Sequence, residues 1–125
     1  MIGDALVFDG VAHIFNFEED NAYGSPGAMF SNHLYAFHAT LTPDGQTVMP
    51  PEEFLHKWSI DEIREMVYDQ SDTDLLVAMP LPLTDLYKDG LSPWEECAAL
   101  ARRDPAAPCS GGPSTRSKAR RRWMT

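Results

Sequence analysis

"ALVFDGVAHIFNF", residues 5–17, decides how this chain is read. The stretch is short, rich in Val, Ile and Phe, and followed by polar loop residues, which is the pattern of a strand buried on both faces. It nevertheless carries an acid, Asp9, in its middle and an imidazole, His13, near its end. Alternate side chains of a strand share a face, so Asp9, Val11 and His13 are expected on one side, with His13 towards the carboxyl end. Ligands and metals gather at that end in parallel α/β folds. An imidazole placed there suits a metal ligand or a general base; the plain alternative is a core histidine bonded to a backbone carbonyl.

Outward from this strand, "NFEEDNAYGSPG" (16–27) has loop punctuation, and Glu18, Glu19 and Asp20 read as a solvated run. "AMFSNHLYAFHATL" (28–41) is apolar and aromatic, and is expected to be helical. It holds His33 and His38, whose spacing of five is wrong for a shared helix face, so they read first as separate surface or packing residues. "PEEFLHKWSIDEIREMVYDQ" (51–70) reads as a helix in two pieces, with His56 structural. Ser59 and Glu62 have capping-box spacing, and Ile60, Ile63, Met66 and Val67 give an apolar face. The acids of "SDTD" (71–74) could attract a cation but read by default as solvated. "DLLVAMPLP" (74–82) is a second buried strand closed by prolines. "SPWEECAALARR" (92–103) reads as a helix with Ser92 as cap, Pro93 first and Glu95 as box partner. Trp58 and Trp94, each beside a cap, are expected to pack on the sheet. Strand, helical excursion, strand, helix predicts parallel βα units.

The 125 residues suit one domain, and 43% apolar content allows a core. The net charge of −9 conceals a division. Residues 1–100 carry eighteen acids against Lys57, Arg64 and Lys88, a net of −15, whereas residues 101–125 carry seven bases against Asp104, a net of +6. The acidic body argues against nucleic acid as a partner. After Asp104 apolar periodicity stops, and "PAAPCSGGPSTRSKARRRWMT" (105–125) reads as a disordered basic tail that could dock on an acidic surface. No apolar run is long enough for a membrane span, and "MIGDALVF" lacks the marks of a secretory signal. Cys97 and Cys109 form neither a disulfide framework nor a zinc pattern, which suits a reducing cytoplasm. Glycine-rich phosphate loops, nucleophile elbows and paired-Cys motifs are missing from the sequence.

Over roughly residues 4–105 the chain resembles the start of amidohydrolase-superfamily proteins. The resemblance rests on "FDGVAHIFNF" (8–17), "MFSNHLYAFHATLTPDG" (29–45) and the run from Glu52 to Pro105 that contains "TDLLVAMPLP". It is closest to the amidohydrolase-related group that includes aminocarboxymuconate-semialdehyde decarboxylase. The resemblance implies a distorted (β/α)8 TIM-like barrel with a divalent metal, zinc expected, at the strand carboxyl ends. It further implies hydrolysis or decarboxylation of small organic acids. The family's first strand reads Asp-x-His-x-His, with both histidines on the metal. His13 matches the second ligand, Asp9 matches a structural position, and Val11 stands where the first ligand belongs. A metal site here would therefore lack a ligand unless another residue substitutes. By the same resemblance, His33 and His38 lie on the excursion over the barrel mouth as substrate contacts. No catalytic residue is assigned.

The expected domain, residues 1–104, holds about two βα units of such a barrel, and two cannot close the ring. A fragment of this kind is expected to be inactive and to self-associate. The basic tail (105–125) has the composition of a frame-shifted GC-rich gene. With suitably chosen codons, the DNA for residues 108–123 reads in another frame as Leu-Phe-Trp-Gly-Pro-Val-Asn-Pro-Leu-Glu-Gly-Lys-Lys-Ala-Leu, a third strand, turn and helix start. The competing expectation is a small non-catalytic acidic protein that binds a partner through its basic tail.

Overall fold

The computed structural model describes residues 1–107 and Cys109. Two strands, β1 (Phe8–Ala12) and β2 (Leu75–Ala78), pair in parallel, with Phe8 opposite Leu75, Asp9 opposite Leu76 and Ala12 opposite Ala78. From Asp9 to Ala12 β1 uses one more residue than β2 does, which is a bulge. Asp9 Oδ1 accepts the Val11 N–H at 3.0 Å, so the acid in the middle of the strand satisfies a bulge amide. The extra residue breaks the alternation that would put Asp9, Val11 and His13 on one face. Nor is β1 buried on both faces: Phe8 is 57% and Val11 53% exposed, whereas Leu76 and Ala78 of β2 are fully buried.

Asp74, just before β2, accepts the Val7 N–H at 2.9 Å and pairs with the Met1 amino group at 2.8 Å. The last acid of "SDTD" thus anchors the N-terminus to the start of β2.

The crossover holds a short 3₁₀ turn (Glu19–Asn21), α1 (Gly24–Leu41), α2 (Pro51–Phe54) and α3 (Ile60–Arg64), which runs into a π turn (Glu65–Asp69). Helix α1 begins inside the Gly-Ser-Pro-Gly stretch read as loop. Pro26 is compatible because a first-turn residue needs no intrahelical N–H partner. Gly27 is required because a Cβ there would lie 2.6 Å from the Leu86 carbonyl oxygen and 2.9 Å from Ala22 Cβ. Helix α3 carries the expected capping box: Ser59 Oγ accepts the Glu62 N–H at 3.1 Å, and Glu62 Oε2 accepts the Ser59 N–H at 2.7 Å. The π turn then shifts the helical register, leaving Met66 exposed although Ile63 is buried.

Helix α4 (Trp94–Arg103) is preceded by Pro93 as its cap residue, not by Ser92. Ser92 is fully buried and its hydroxyl is engaged elsewhere: it accepts the Ile14 N–H at 3.0 Å and donates to the Met79 carbonyl at 3.3 Å. Trp94 is 41% exposed and outside the buried clusters, while Trp58 packs against the core.

Beyond α4 the chain follows the free edge of β2. The Leu76 N–H donates to the Ala106 carbonyl at 3.1 Å, and Cys109 forms a parallel bridge with Ala78. Ala107 is fully buried. Ala106, Ala107 and Cys109, assigned by sequence to the basic tail, therefore pack with the body, while Pro105 is exposed. The rest of that stretch, Pro108 and residues 110–125, lies outside the described residues.

Two apolar clusters hold the fold together. One joins β2 to α3 and α4 through Ile14, Ile63, Leu76, Ala78, Cys97, Leu100 and Ala107. The other centres on Phe17, Tyr87 and Leu91, with Trp58 touching both. The architecture is mixed α/β, with a small parallel sheet and helices in its crossovers. Among the described residues no helix is long and apolar enough to cross a membrane.

Candidate functional site

The carboxyl ends of β1 and β2 meet at His13. The Met79 N–H donates to the Ala12 carbonyl at 2.7 Å, which brings residue 79 beside the end of β1. His13 Nδ1 lies 2.7 Å from the Met79 carbonyl, so this nitrogen carries the proton and donates. Ser92 holds the next residue, Ile14, and the same Met79 carbonyl. The half-buried imidazole is fixed in one tautomer, with Nε2 left as the ring's acceptor. Such a nitrogen can take a proton or coordinate an ion; a histidine held by a backbone carbonyl through its other nitrogen is the usual form of a metal ligand. The carbonyl-bonded reading of His13 and the functional one are thus compatible.

From His13 a row of rings leads away from the strand ends. Ring centroids are 5.4 Å apart for His13–Phe15, 5.0 Å for Phe15–Phe17 and 5.3 Å for Phe17–Phe54. Phe54 stacks on His38 at 4.8 Å and meets Tyr35 at 5.5 Å. His38 is therefore held within an aromatic wall between α1 and α2, and its Nε2 is buried without a hydrogen-bond partner. His33 sits on the exposed side of α1 with Nδ1 2.8 Å from the Met29 carbonyl. The two helix histidines do not share a face, and the aromatic row connects His13 to only one of them.

No group of three or more His, Cys, Asp or Glu among the described residues could hold an ion. Val11, at the position of the first ligand in the family resembled, is an exposed aliphatic residue, and Asp9 is engaged with the bulge amide. His13 keeps Nε2 as an acceptor, and one imidazole does not by itself make a site.

A cavity of about 470 Å³ lies at the start of α1, lined by Phe17, Ala22, Gly24, Ser25, Ser31 and Leu55 among others. None of the three histidines lines it. Behind its lining residue Ser31 stands Tyr87, whose buried hydroxyl donates to the Gly27 carbonyl at 3.0 Å and meets Ser31 Oγ at 2.8 Å. Burial raises the pKa of this phenol. Beside it, buried Asn21 donates to the Asn16 and Gly90 carbonyls, both at 3.1 Å, and accepts the Asp89 N–H at 3.0 Å. Both amide hydrogens and the oxygen are used, so Asn21 holds loops rather than a ligand.

Sequence reasoning missed Ser92, Tyr87 and Asn21 as the residues that set this region. Each acts through partners at least sixty residues away in part, so no local spacing marks it. His56 does act structurally: Nδ1 lies 2.6 Å from the Glu53 carbonyl and Nε2 2.9 Å from Glu62 Oε1, tying α2 to α3. No family model, no curated protein and no solved structure matches the chain.

Proposed function

We propose that the chain is the N-terminal portion of an amidohydrolase-like (β/α)8 barrel. The complete enzyme would be a metal-dependent hydrolase or carboxy-lyase acting on small organic acids, and the chain by itself has no catalysis. One observation carries the reading: the strand order at the sheet. After β1, a helical crossover and β2, α4 leads to Cys109, which bridges Ala78 in parallel on the other edge of β2. Two parallel strands joined by a helical crossover, with a single parallel bridge on the far edge of the second, are in keeping with the order of a barrel wall. The exposed Phe8 and Val11 on β1 suit a strand that still needs a neighbour.

On this reading His13 belongs to the mouth of the barrel and His38 to its aromatic wall, with His33 on the outer side of the same helix. The divalent metal implied by the resemblance, zinc expected, would need ligands beyond those the described residues supply. We place the protein in the cytoplasm, in keeping with its two thiols.

A second reading, a small acidic protein that binds an acidic partner through its basic tail, is favoured by the closed hydrogen-bond set of Asn21. Every polar group of the Asn21 side chain finds its partner within the chain, which supports this reading. Size-exclusion chromatography with thermal melting by circular dichroism separates the two. The barrel reading expects concentration-dependent association and a broad melt. A compact monomer with a sharp cooperative melt overturns it. The DNA after codon 105 read in all three frames is the complementary test: barrel coding in a shifted frame supports the proposal, and its absence removes it.

A further inference from the structure

Cys97 and Cys109 are twelve residues apart in sequence and read there as unrelated. The fold brings them together. Cys97 faces inward from α4, fully buried in the cluster that contains Leu76 and Ala78. Cys109 packs against the same cluster and bridges Ala78 on the edge of β2. The two thiols lie within hydrogen-bonding reach of each other, and the Ser92 hydroxyl stands 3.6 Å from Cys97 Sγ. Neither is in a disulfide.

We infer that Cys97 and Cys109 are a latent disulfide pair, a redox clasp that locks the segment after α4 onto the edge of β2. The reaction proceeds in two exchanges with a small disulfide such as oxidised glutathione. Cys109, the more exposed of the two, loses its proton and attacks one glutathione sulfur; the S–S bond breaks and a glutathione thiolate leaves. Cys97, deprotonated in turn, attacks the Cys109 sulfur of the mixed disulfide and expels the second glutathione. Two protein thiols are oxidised, one glutathione disulfide is reduced to two thiols, and the two protons pass to the departing thiolates. Burial pushes the Cys97 thiol up to about 11 and raises Cys109 as well. Closure is therefore slow near neutrality and faster as pH rises.

The clasp closes a short loop around Ala106 and Ala107, the residues that contact β2 and fill the core beside it. Oxidation should thus raise the Tm by on the order of 10 °C in the intact chain.

The test treats the full chain with a glutathione redox buffer under native conditions and in denaturant, with mass spectrometry after acid quenching. The expected native product has lost a pair of hydrogens and retains no glutathione. The effective concentration of the pair should exceed that in denaturant by about tenfold or more, because the fold holds the sulfurs together. Cys97→Ala should instead trap glutathione on Cys109. A native wild-type chain that keeps glutathione, keeps both thiols, forms disulfide-linked dimers, or closes no more readily than the denatured chain overturns the inference.

Discussion

Ser92 shows how one side chain can fix a strand junction. Its hydroxyl serves the Ile14 N–H and the Met79 carbonyl at once, in a position without solvent access. Removing it leaves a buried amide without a partner, which costs more than the hydrogen bond itself contributes. Ser92→Ala is expected to destabilise by about 1–3 kcal/mol. A urea denaturation curve followed by tryptophan fluorescence reads this as a lower midpoint at unchanged slope. The residue also marks where sequence reading fails. Ser-Pro before an apolar run is a sound cap signal, but the requirement of a β1 amide far away in sequence outweighs it. Gly27 poses the opposite demand: space, not a partner. Gly27→Ala would force a Cβ against the Leu86 carbonyl, backbone that cannot swing aside. The expected cost is about 1–3 kcal/mol, by the same measurement, despite the gain in helix propensity.

At the scale of elements, what was legible was local. The Ser59–Glu62 box lies within four consecutive residues and emerges as the sequence implies. The two strands were found from composition, and their parallel pairing from the helical matter between them. The bulge in β1 was not legible, because an extra residue is defined only against the partner strand. The π turn after α3 has no signal in the local spacing either, and Met66 within it is exposed rather than on the expected face. The box has a pH consequence. Glu62 is held below its ordinary value of 4.5, first by the Ser59 backbone N–H it accepts, with His56 adding to the effect. Asp74 is held below 3.8, first by its hydrogen bond from the N-terminal amino group, then by that from the Val7 N–H. A carboxylate with a depressed folded pKa stabilises the fold fully above its unfolded value and loses that contribution as pH falls through the folded one. Stability is therefore expected to fall on acidification from about pH 4.5 downward. Glu62→Gln should flatten the upper part of that decline, as read from urea midpoints across the acidic pH series.

At the scale of the molecule, the fold is lopsided. β2 is covered by α3, α4 and the segment through Ala107, so Leu76, Ala78 and Leu100 are all fully buried. β1 has β2 on one edge, while Leu6, Phe8 and Val11 reach solvent. An open strand with exposed apolar side chains invites pairing with another chain, and natural sheets blunt such edges with charge. Phe8 and Val11 carry none. Asp9, the one charge in the strand, is turned back onto the Val11 amide rather than guarding the edge. Association through β1 is therefore expected, and it should respond to charge placed on that strand. The double substitution Phe8→Lys, Val11→Lys should shift the chain towards monomer in sedimentation velocity at matched concentration. It should cost little stability, because both side chains are already mostly in water and neither belongs to the buried clusters. Lysine at Met29 and Phe37, exposed on α1 away from the strand, is the control and should leave the distribution unchanged. If the α1 pair dissolves the oligomer and the β1 pair does not, the contact lies on the helix, and the unfinished sheet is not what drives association.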